Sequence, residues 1–326
     1  MYKAVIINDG YSEIRNEHII HLVYGGGRLQ KLATMVDLFP EIITSDSFEA
    51  HLDVLRGAEV IFSSWGFPAL SDDQLTLMPN LEILLYAAGA TRGFREPLLK
   101  KGIRISSATA ANAIPVAEFA LSHLLLAGAG FYRSSREYKK PKSSKTIDRY
   151  QGQGNYGNRI AILGNGTVSK QLQYFLGQHD IEVVEVASRL EERATTLEEA
   201  FSTCSAIVNL FPDVDHCAGI YNRALFASMM HSSVFINCGR GRQVNERDLI
   251  SILKIRPDLT AILDVQFPEP PKTGSELYSL PNVRLSPHIA GSKGNELLRM
   301  GDYMIEEFKR FQCGKTLKYE VQADQL

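Results

Sequence analysis

Three side chains, in chain order, could do chemistry together. Arg240 lies in Asn237-Cys238-Gly239-Arg240-Gly241, Glu269 in Asp264-Val265-Gln266-Phe267-Pro268-Glu269-Pro270, and His288 in Ser286-Pro287-His288-Ile289-Ala290-Gly291. A guanidinium is a planar fork that grips a carboxylate through two hydrogen bonds and polarises a neighbouring keto oxygen. An imidazole titrates near neutrality and hands a proton to a carbonyl oxygen. A carboxylate bonded to the imidazole holds its tautomer and favours its protonated form. This is the equipment for reducing a 2-keto acid, provided a hydride donor is delivered beside it. Taken singly, each residue also has a plain structural reading, Arg240 as one arm of an ion pair and His288 as an ordinary histidine. Gly239 and Gly241 open the backbone around Arg240, and Pro268 and Pro270 hold Glu269 in an extended segment. Asp264, at the end of a predicted strand, is a candidate partner for a nicotinamide carboxamide or a cap.

A hydride donor has a candidate seat upstream. The strand Ile160–Leu163 runs into Gly164-Asn165-Gly166-Thr167-Val168-Ser169, a G-x-G-x-x-S turn that opens a helix. Gly164 permits the tight turn and Gly166 lets a pyrophosphate approach the backbone. The amides of Thr167 and Val168 can then donate to phosphate oxygens with the helix dipole behind them. Ser169 takes the third small position. At the end of the next strand an NAD site places an acid on the ribose 2′-hydroxyl. Here Ala187 stands there, followed by Ser188 and Arg189, which could bond a 2′-phosphate. NADP is therefore the expected cofactor and NAD the second choice. The plainer reading of Arg189 is a surface arginine, and Glu191 and Glu192 could blunt its field.

The elements that must position these residues alternate. Candidate strands are Ala4–Ile7, Glu59–Phe62, Ile83–Tyr86 and Arg104–Ser106. A second series is Ile160–Leu163, Glu182–Val186, Ala206–Leu210, Val234–Asn237, Thr260–Asp264 and Val283–Leu285. Strands separated by helical stretches predict an α/β fold, with two Rossmann-like or flavodoxin-like parallel-sheet domains and the active site in the cleft between them. The tail from Gly294 to Gln312 reads as a helix, with Leu297, Leu298, Met304, Ile305, Phe308 and Phe311 as candidate apolar positions, and no strand of its own to pack beside. Its return to the first domain predicts a discontinuous substrate-binding domain, 1–107 plus 291–326, around a dinucleotide-binding domain, 108–290. Gly25-Gly26-Gly27 reads as a loop. The stretch Arg133–Arg149, with seven basic and two acidic residues, is read as a solvated surface excursion rather than an anion site.

Composition narrows the class. A chain of 326 residues suits two domains, and 44% hydrophobic with 22% charged residues is ordinary for a globular protein. A formal net charge of −2 gives no reason to expect nucleic acid or an anionic membrane as partner. Cys204, Cys217, Cys238 and Cys313 have no C-x-x-C or zinc-like spacing, so no metal site is expected, and free thiols suit a reducing cytoplasm. The N-terminus reads as a strand rather than a signal peptide. The apolar run Ala117–Ala129 is shorter than the ~18 residues of a membrane span and reads as a buried helix.

At this point the sequence resembles the D-isomer-specific 2-hydroxyacid dehydrogenase family. Asn237–Gly241 is similar to its Arg-Gly motif, Asp264-Val265 through Glu269-Pro270 to its D-V-x-x-x-E-P segment, and Leu280-Pro281-Asn282-Val283 through Gly291 to its L-P-N-V…P-H-I-A-G segment. Asn112–Leu121 matches the helix after the first inter-domain crossing, and Ala87-Ala88-Gly89-Ala90 the loop whose amides bind substrate carboxylate. The resemblance implies that Arg240 binds substrate together with Ala88 and Gly89, that His288 is the acid/base and that Glu269 is its partner. It also implies that Pro212, Cys238 and Asp264 join the glycine turn among the cofactor contacts, and that a homodimer forms through the cofactor domains. Thr91 stands where the family usually has Asp, and Leu210 replaces a frequent His before Pro212. The expected function is an NADPH-preferring oxidoreductase acting between a small 2-keto acid and its D-2-hydroxy acid. The alternative is a dinucleotide-sensing, corepressor-like binding protein of the same fold.

Overall fold

Short aliphatic and β-branched runs pair in parallel in two separate sheets. The computed structural model describes residues 1–12, 17–138 and 152–322, and the chain divides into two units, Met1–Asn112 with Ser292–Leu326, and Ala113–Gly291.

The first unit is built on β1 (Lys3–Ile7), β2 (Asp37–Ile43), β3 (Val60–Ser63), β4 (Ile83–Tyr86) and β5 (Arg104–Ser107), in the order β2-β1-β3-β4-β5. All four pairings are parallel, the arrangement of a doubly wound sheet. β2 is absent from the strands expected above. Its Asp37, Pro40 and Glu41 read as turn chemistry, yet an edge strand tolerates a proline because one side of it needs no ladder. The register slips there, from Ala4 opposite Leu38 to Ile6 opposite Ile42. Gly26 and Gly27 both have positive φ and form the expected loop.

The C-terminal helix Glu296–Gln312 belongs to this unit. Leu297, Met300, Met304, Ile305, Phe308 and Phe311 enter the same core as Val5, Phe62 and Leu84. A Cβ on Gly301 would lie 2.4 Å from the carbonyl oxygen of Val23, so only glycine lets the helix lie this close to the segment Ile19–Val23. The buried Glu307 carboxylate accepts from Ser106 Oγ at 2.8 Å and from the amides of Lys318 and Tyr319 at 3.1 and 3.0 Å. These donors meet the requirement of a buried charge and tie the chain's last segment to β5.

The second unit carries β6 (Asn158–Leu163), β7 (Ile181–Val186), β8 (Ala206–Asn209), β9 (Val234–Asn237), β10 (Thr260–Leu263) and β11 (Val283–Leu285), ordered β11-β10-β9-β8-β6-β7 and all parallel. Alternate residues feed opposite faces. Ile160, Ile162, Val208, Ile236 and Ile262 pack with Ala117, Ala120 and Leu124, whereas Leu163, Ile207, Phe235 and Leu263 pack with Phe201, Phe226 and Leu249. The order reverses at β6, with β7 on one side and β8 on the other, so ligands of such a sheet are expected beyond the carboxyl ends of β6 and β8.

The helix Thr109–Gly128 is longer than the apolar run expected from sequence. It has 20 residues, and an 18-residue stretch of it, of mean hydropathy 1.4, meets the length and composition of a membrane span, but its inner face is built into the core under β6. The basic stretch enters the helix Phe131–Glu137, and its remainder from 139 onward lies outside the described residues.

Candidate active site

Every candidate catalytic and cofactor residue in the second unit stands just past the carboxyl end of a strand. The fulcrum is Asp264, first after β10 and 1% exposed. Its carboxylate accepts from Ser286 Oγ at 2.6 Å and from the amides of Ile289 and Ala290, both at 2.9 Å. Its carbonyl accepts from the amide of His288 at 2.9 Å. These bonds hold His288 at φ 54°, a left-handed conformation that disfavours a residue with a Cβ. Charge-assisted bonds to a buried carboxylate are among the stronger ones available to offset that strain. The carboxylate expected to meet the cofactor is thus already engaged in shaping the histidine loop.

The imidazole is aimed at its expected partner. His288 Nδ1 lies 2.7 Å from Glu269 Oε1, leaving Nε2 as the nitrogen free to exchange a proton. The side chains are 52% and 36% exposed, so both can meet a ligand. Gln266 braces the same region, its Nε2 donating to Leu263 O at 2.7 Å and to Ser286 O at 3.2 Å.

Arg240 projects from the loop after β9. Its side chain is 41% exposed, with Nη1 donating to Gly239 O at 2.8 Å and Nε 3.7 Å from Asp213 Oδ2. Arg242 also engages Asp213, and reaches Asp215 at 3.1 Å. The flanking glycines are there for space. A Cβ on Gly239 would meet Asn209 Nδ2 at 2.6 Å, and one on Gly241 would sit 1.9 Å from the carbonyl carbon of Gln266. The Arg240 loop therefore lies directly against the segment leading to Glu269.

The glycine turn is formed as a dinucleotide would require. Gly164 has φ 129°, and a Cβ there would approach Leu210 O to 2.8 Å, closing the gap between the ends of β6 and β8. At Gly166, by contrast, a Cβ would meet nothing within 4 Å among the described residues. The protein does not demand glycine there, and the open space is what an approaching phosphate needs. The helix Thr167–Leu176 starts at Gly166 with no side-chain cap and no acid in its first turn, leaving its dipole to an anion. Ser169 is fully buried and its Oγ has no partner among the described residues, while it stands 3.1 Å from the Cβ that Gly164 lacks. The residues present fit a dinucleotide.

At the end of β7, Arg189 is 60% exposed and pairs with Glu192 at 3.2 Å. Arg193, not singled out from sequence, donates to Ala187 O at 2.9 Å and Ser188 O at 3.1 Å and lies over the Phe211 ring. It shapes the turn that presents Ser188 and Arg189. Pro212 follows β8, where its carbonyl accepts from Gln243 at 2.8 Å. Cys238 follows β9, with its thiol pushed well above the ordinary range by burial and by the nearby Asp264 charge.

In the first unit the loop after β4 departs from expectation. The Ala88 amide donates to Tyr86 O at 2.8 Å and is not a free donor for a carboxylate. The carbonyl of Gly89 takes the hydroxyl of Thr109 at 2.9 Å. The two points where the chain changes units are tied together, Ser292 N donating to Asn112 Oδ1 at 2.9 Å. A cavity of about 200 Å³ lies among Arg133, Asn158, Ser205, Ser232, Val234 and Thr260, at the amino ends of the strands and away from the candidate chemistry.

Residues 121–290 match the family model described as D-isomer specific 2-hydroxyacid dehydrogenase, NAD binding domain. The chain is 25% identical over 291 residues to the D-3-phosphoglycerate dehydrogenase of Methanocaldococcus jannaschii, which covers 86% of this chain and 55% of that protein. It spans about half, or less, of the phosphoglycerate dehydrogenases it matches. Among solved structures, a phosphoglycerate oxidoreductase from Rhizobium etli superposes with a TM-score of 0.79 at 20% identity, covering 99% of each chain. The apo D-mandelate dehydrogenase of Rhodotorula graminis gives 0.74 at 19% identity, covering 99% of this chain and 98% of that one. At these identities the structural likeness speaks to the fold alone.

Proposed function

Since the chain belongs to the D-isomer specific 2-hydroxyacid dehydrogenase family, we propose that it interconverts a small 2-keto acid and its D-2-hydroxy acid. The observation that carries this reading is the His288–Glu269 bond of 2.7 Å on a backbone held in a left-handed turn by Asp264. A bound nicotinamide dinucleotide supplies the hydride. Arg240 is assigned the substrate carboxylate, with Gly89 as a candidate amide donor. His288 gives its Nε2 proton to the carbonyl oxygen during reduction and takes it back in oxidation. Glu269, bonded at Nδ1, holds the ring orientation and fixes which nitrogen reacts.

We further propose NADPH as the preferred donor. Ala187 leaves no acid to repel a 2′-phosphate, and Ser188 and Arg189 stand beside it. The Arg189–Glu192 pair competes for the guanidinium, but an exposed pair of this kind is worth only about 0–1 kcal/mol. A phosphate can displace it at small cost. Exposed apolar side chains on the second unit, Leu126, Phe131, Tyr138 and Tyr156, support a homodimer through the cofactor domains. The free, buried Cys204 and Cys217 suit a reducing cytoplasm.

The test is oxidation of NADPH and of NADH with glyoxylate, hydroxypyruvate, pyruvate and a bulkier 2-keto acid. Turnover with NADPH preferred supports the whole reading. Turnover preferring NADH keeps the reaction and removes the NADPH assignment. No turnover with any pair, by a protein that binds the dinucleotide, overturns the enzyme reading.

A further inference from the structure

Behind Arg240 lies a set of buried amides that the reaction scheme does not use. Asn209 and Asn237, the last residues of β8 and β9, are fully buried together with Gln243 and the phenol of Tyr221 from the segments that follow. Asn209 Nδ2 donates to Asn237 Oδ1 and to Gln243 Oε1, both at 2.7 Å. Asn209 Oδ1 accepts from Tyr221 Oη at 2.7 Å and from the Phe211 amide at 3.0 Å. Gln243 Oε1 also accepts the Arg240 amide at 3.0 Å, while Nε2 donates to Phe211 O at 3.3 Å and Pro212 O at 2.8 Å. Asn237 Oδ1 accepts the Gly239 amide at 3.1 Å. Asn209 and Gln243 use each donor and acceptor they possess, as a low-dielectric interior requires.

A core position at this depth is ordinarily apolar, and two buried amides with full polar satisfaction fix a geometry that aliphatic packing leaves looser. The geometry they fix is specific. One side chain, Gln243, clasps the Arg240 backbone amide on one loop and the Phe211 and Pro212 carbonyls on the other. The glycine at 239 is required by the same cluster, because a Cβ would meet both Asn209 Nδ2 and Gln243 Oε1 within 3 Å.

We infer that Gln243, seated by Asn209, is a positioning residue that sets where the Arg240 guanidinium stands relative to the loop after β8. The inference rests on the proposed role of Arg240 as carboxylate binder. It makes Gln243 act on substrate affinity through Arg240 and not through the dinucleotide. Replacing Gln243 by Leu keeps the volume but leaves Asn209 Nδ2, the Arg240 amide and two carbonyls short of partners.

The experiment is a double-mutant cycle of Gln243→Leu with Arg240→Lys, which keeps the charge and loses the fork. Steady-state constants for the best 2-keto acid, the NADPH dissociation constant and Tm are measured for all four proteins. Gln243→Leu is expected to raise KM for the keto acid about tenfold or more, with the NADPH constant changed less than about threefold. In the Arg240→Lys background its effect on kcat/KM shrinks to about threefold or less. Oxamate binding to the NADPH complex, by calorimetry, gives the same cycle where turnover is too slow. If Gln243→Leu does not fold, Gln243→Glu carries the test, since its protonated form restores one donor. Its kcat/KM relative to the unaltered protein should then rise as pH falls. Equal effects in both Arg240 backgrounds, or a fall in Tm with KM unmoved, overturns the inference. An unaltered protein that turns over no 2-keto acid instead overturns the reading on which it rests.

Discussion

Asp264 holds His288 from both sides of the peptide chain. Its carbonyl takes the His288 amide at 2.9 Å, and its carboxylate takes the amides of the next two residues at the same distance. An acid placed after the fifth strand of the second sheet thereby shapes the loop that bears the imidazole, and the left-handed φ of 54° is a consequence of that grip. The same loop aims Nδ1 at Glu269, so the His288–Glu269 pair depends on a carboxylate that is itself buried.

Asp264→Asn should therefore separate loop geometry from proton chemistry. The asparagine keeps one acceptor oxygen but turns an NH2 group toward a backbone amide. Leaving a buried polar group so mismatched costs about 1–3 kcal/mol. We expect kcat to fall about 10- to 100-fold, compared with about 10²- to 10⁴-fold for His288→Ala, which removes the proposed acid/base outright. Dinucleotide binding to His288→Ala should stay within a few-fold of the parent by fluorescence titration. An Asp264→Asn protein with parental kcat would show that the loop holds its shape without the carboxylate.

Gly241→Ala probes the contact between the Arg240 loop and the Glu269 segment. The new Cβ would lie 1.9 Å from the Gln266 carbonyl carbon and 2.0 Å from its oxygen. Backbone faces backbone there, so no flexible side chain can yield. One of the two loops must move, with a loss of about 1–3 kcal/mol in stability. We expect KM for the keto acid to rise and kcat to fall together, because Arg240 and Glu269 are displaced by one substitution. Gly166→Ala is the contrast, since no described residue lies within 4 Å of its Cβ. It should leave Tm nearly unchanged and weaken dinucleotide binding, measured by titration. Unaltered affinity would remove Gly166 from the phosphate path.

Much of this arrangement was legible in the sequence, for a physical reason. The ten expected strands are all present, because each is a short apolar run bounded by polar or glycine turns. The G-x-G-x-x-S turn, Arg240, Glu269 and His288 carry their spacing in the chain itself. β2 escaped because Pro40 and two acids mimic a turn, and only the edge position excuses them. The Asn209–Gln243 cluster escaped because its partners are 34 residues apart. Amides carry no periodic signal, and their burial is a property of the packed sheet. Arg193 lies close to Ala187 and Ser188 in sequence, but nothing local distinguishes it from Arg189. Ala88 was assigned as a carboxylate donor by resemblance, and its amide proved to be bonded to Tyr86 O.

Thiol reactivity should sort the cysteines by environment. Burial and the Asp264 charge push the Cys238 thiol far up, and burial also raises Cys204 and Cys217. The thiolate is the nucleophile, so these three should resist alkylation by iodoacetamide at pH 8 in the folded protein. Cys313, exposed after the C-terminal helix, should be modified alone, adding one label by intact-mass spectrometry. Rapid labelling of Cys238 would mean that the loop after β9 opens readily.

Acid stability should report Asp258. Although burial pulls its carboxyl upward, hydrogen bonds from Arg256 at 2.9 and 2.8 Å and from the Ser232 amide at 3.1 Å outweigh it. The folded-state value is about 2. In the unfolded chain an aspartate titrates near ~3.9. The folded value is the lower one, so the group's contribution is fully present above about pH 4 and is lost as pH falls through about 2. The difference amounts to about 2–3 kcal/mol, and the side chain is only 13% exposed, so little of it is screened. Asp258→Asn should lower Tm by several degrees at pH 7, and the gap from the parent should narrow steadily between about pH 4 and pH 2. Calorimetric or fluorescence melts across that range check it. A gap that stays constant with pH would show that the loss comes from packing and not from the charge.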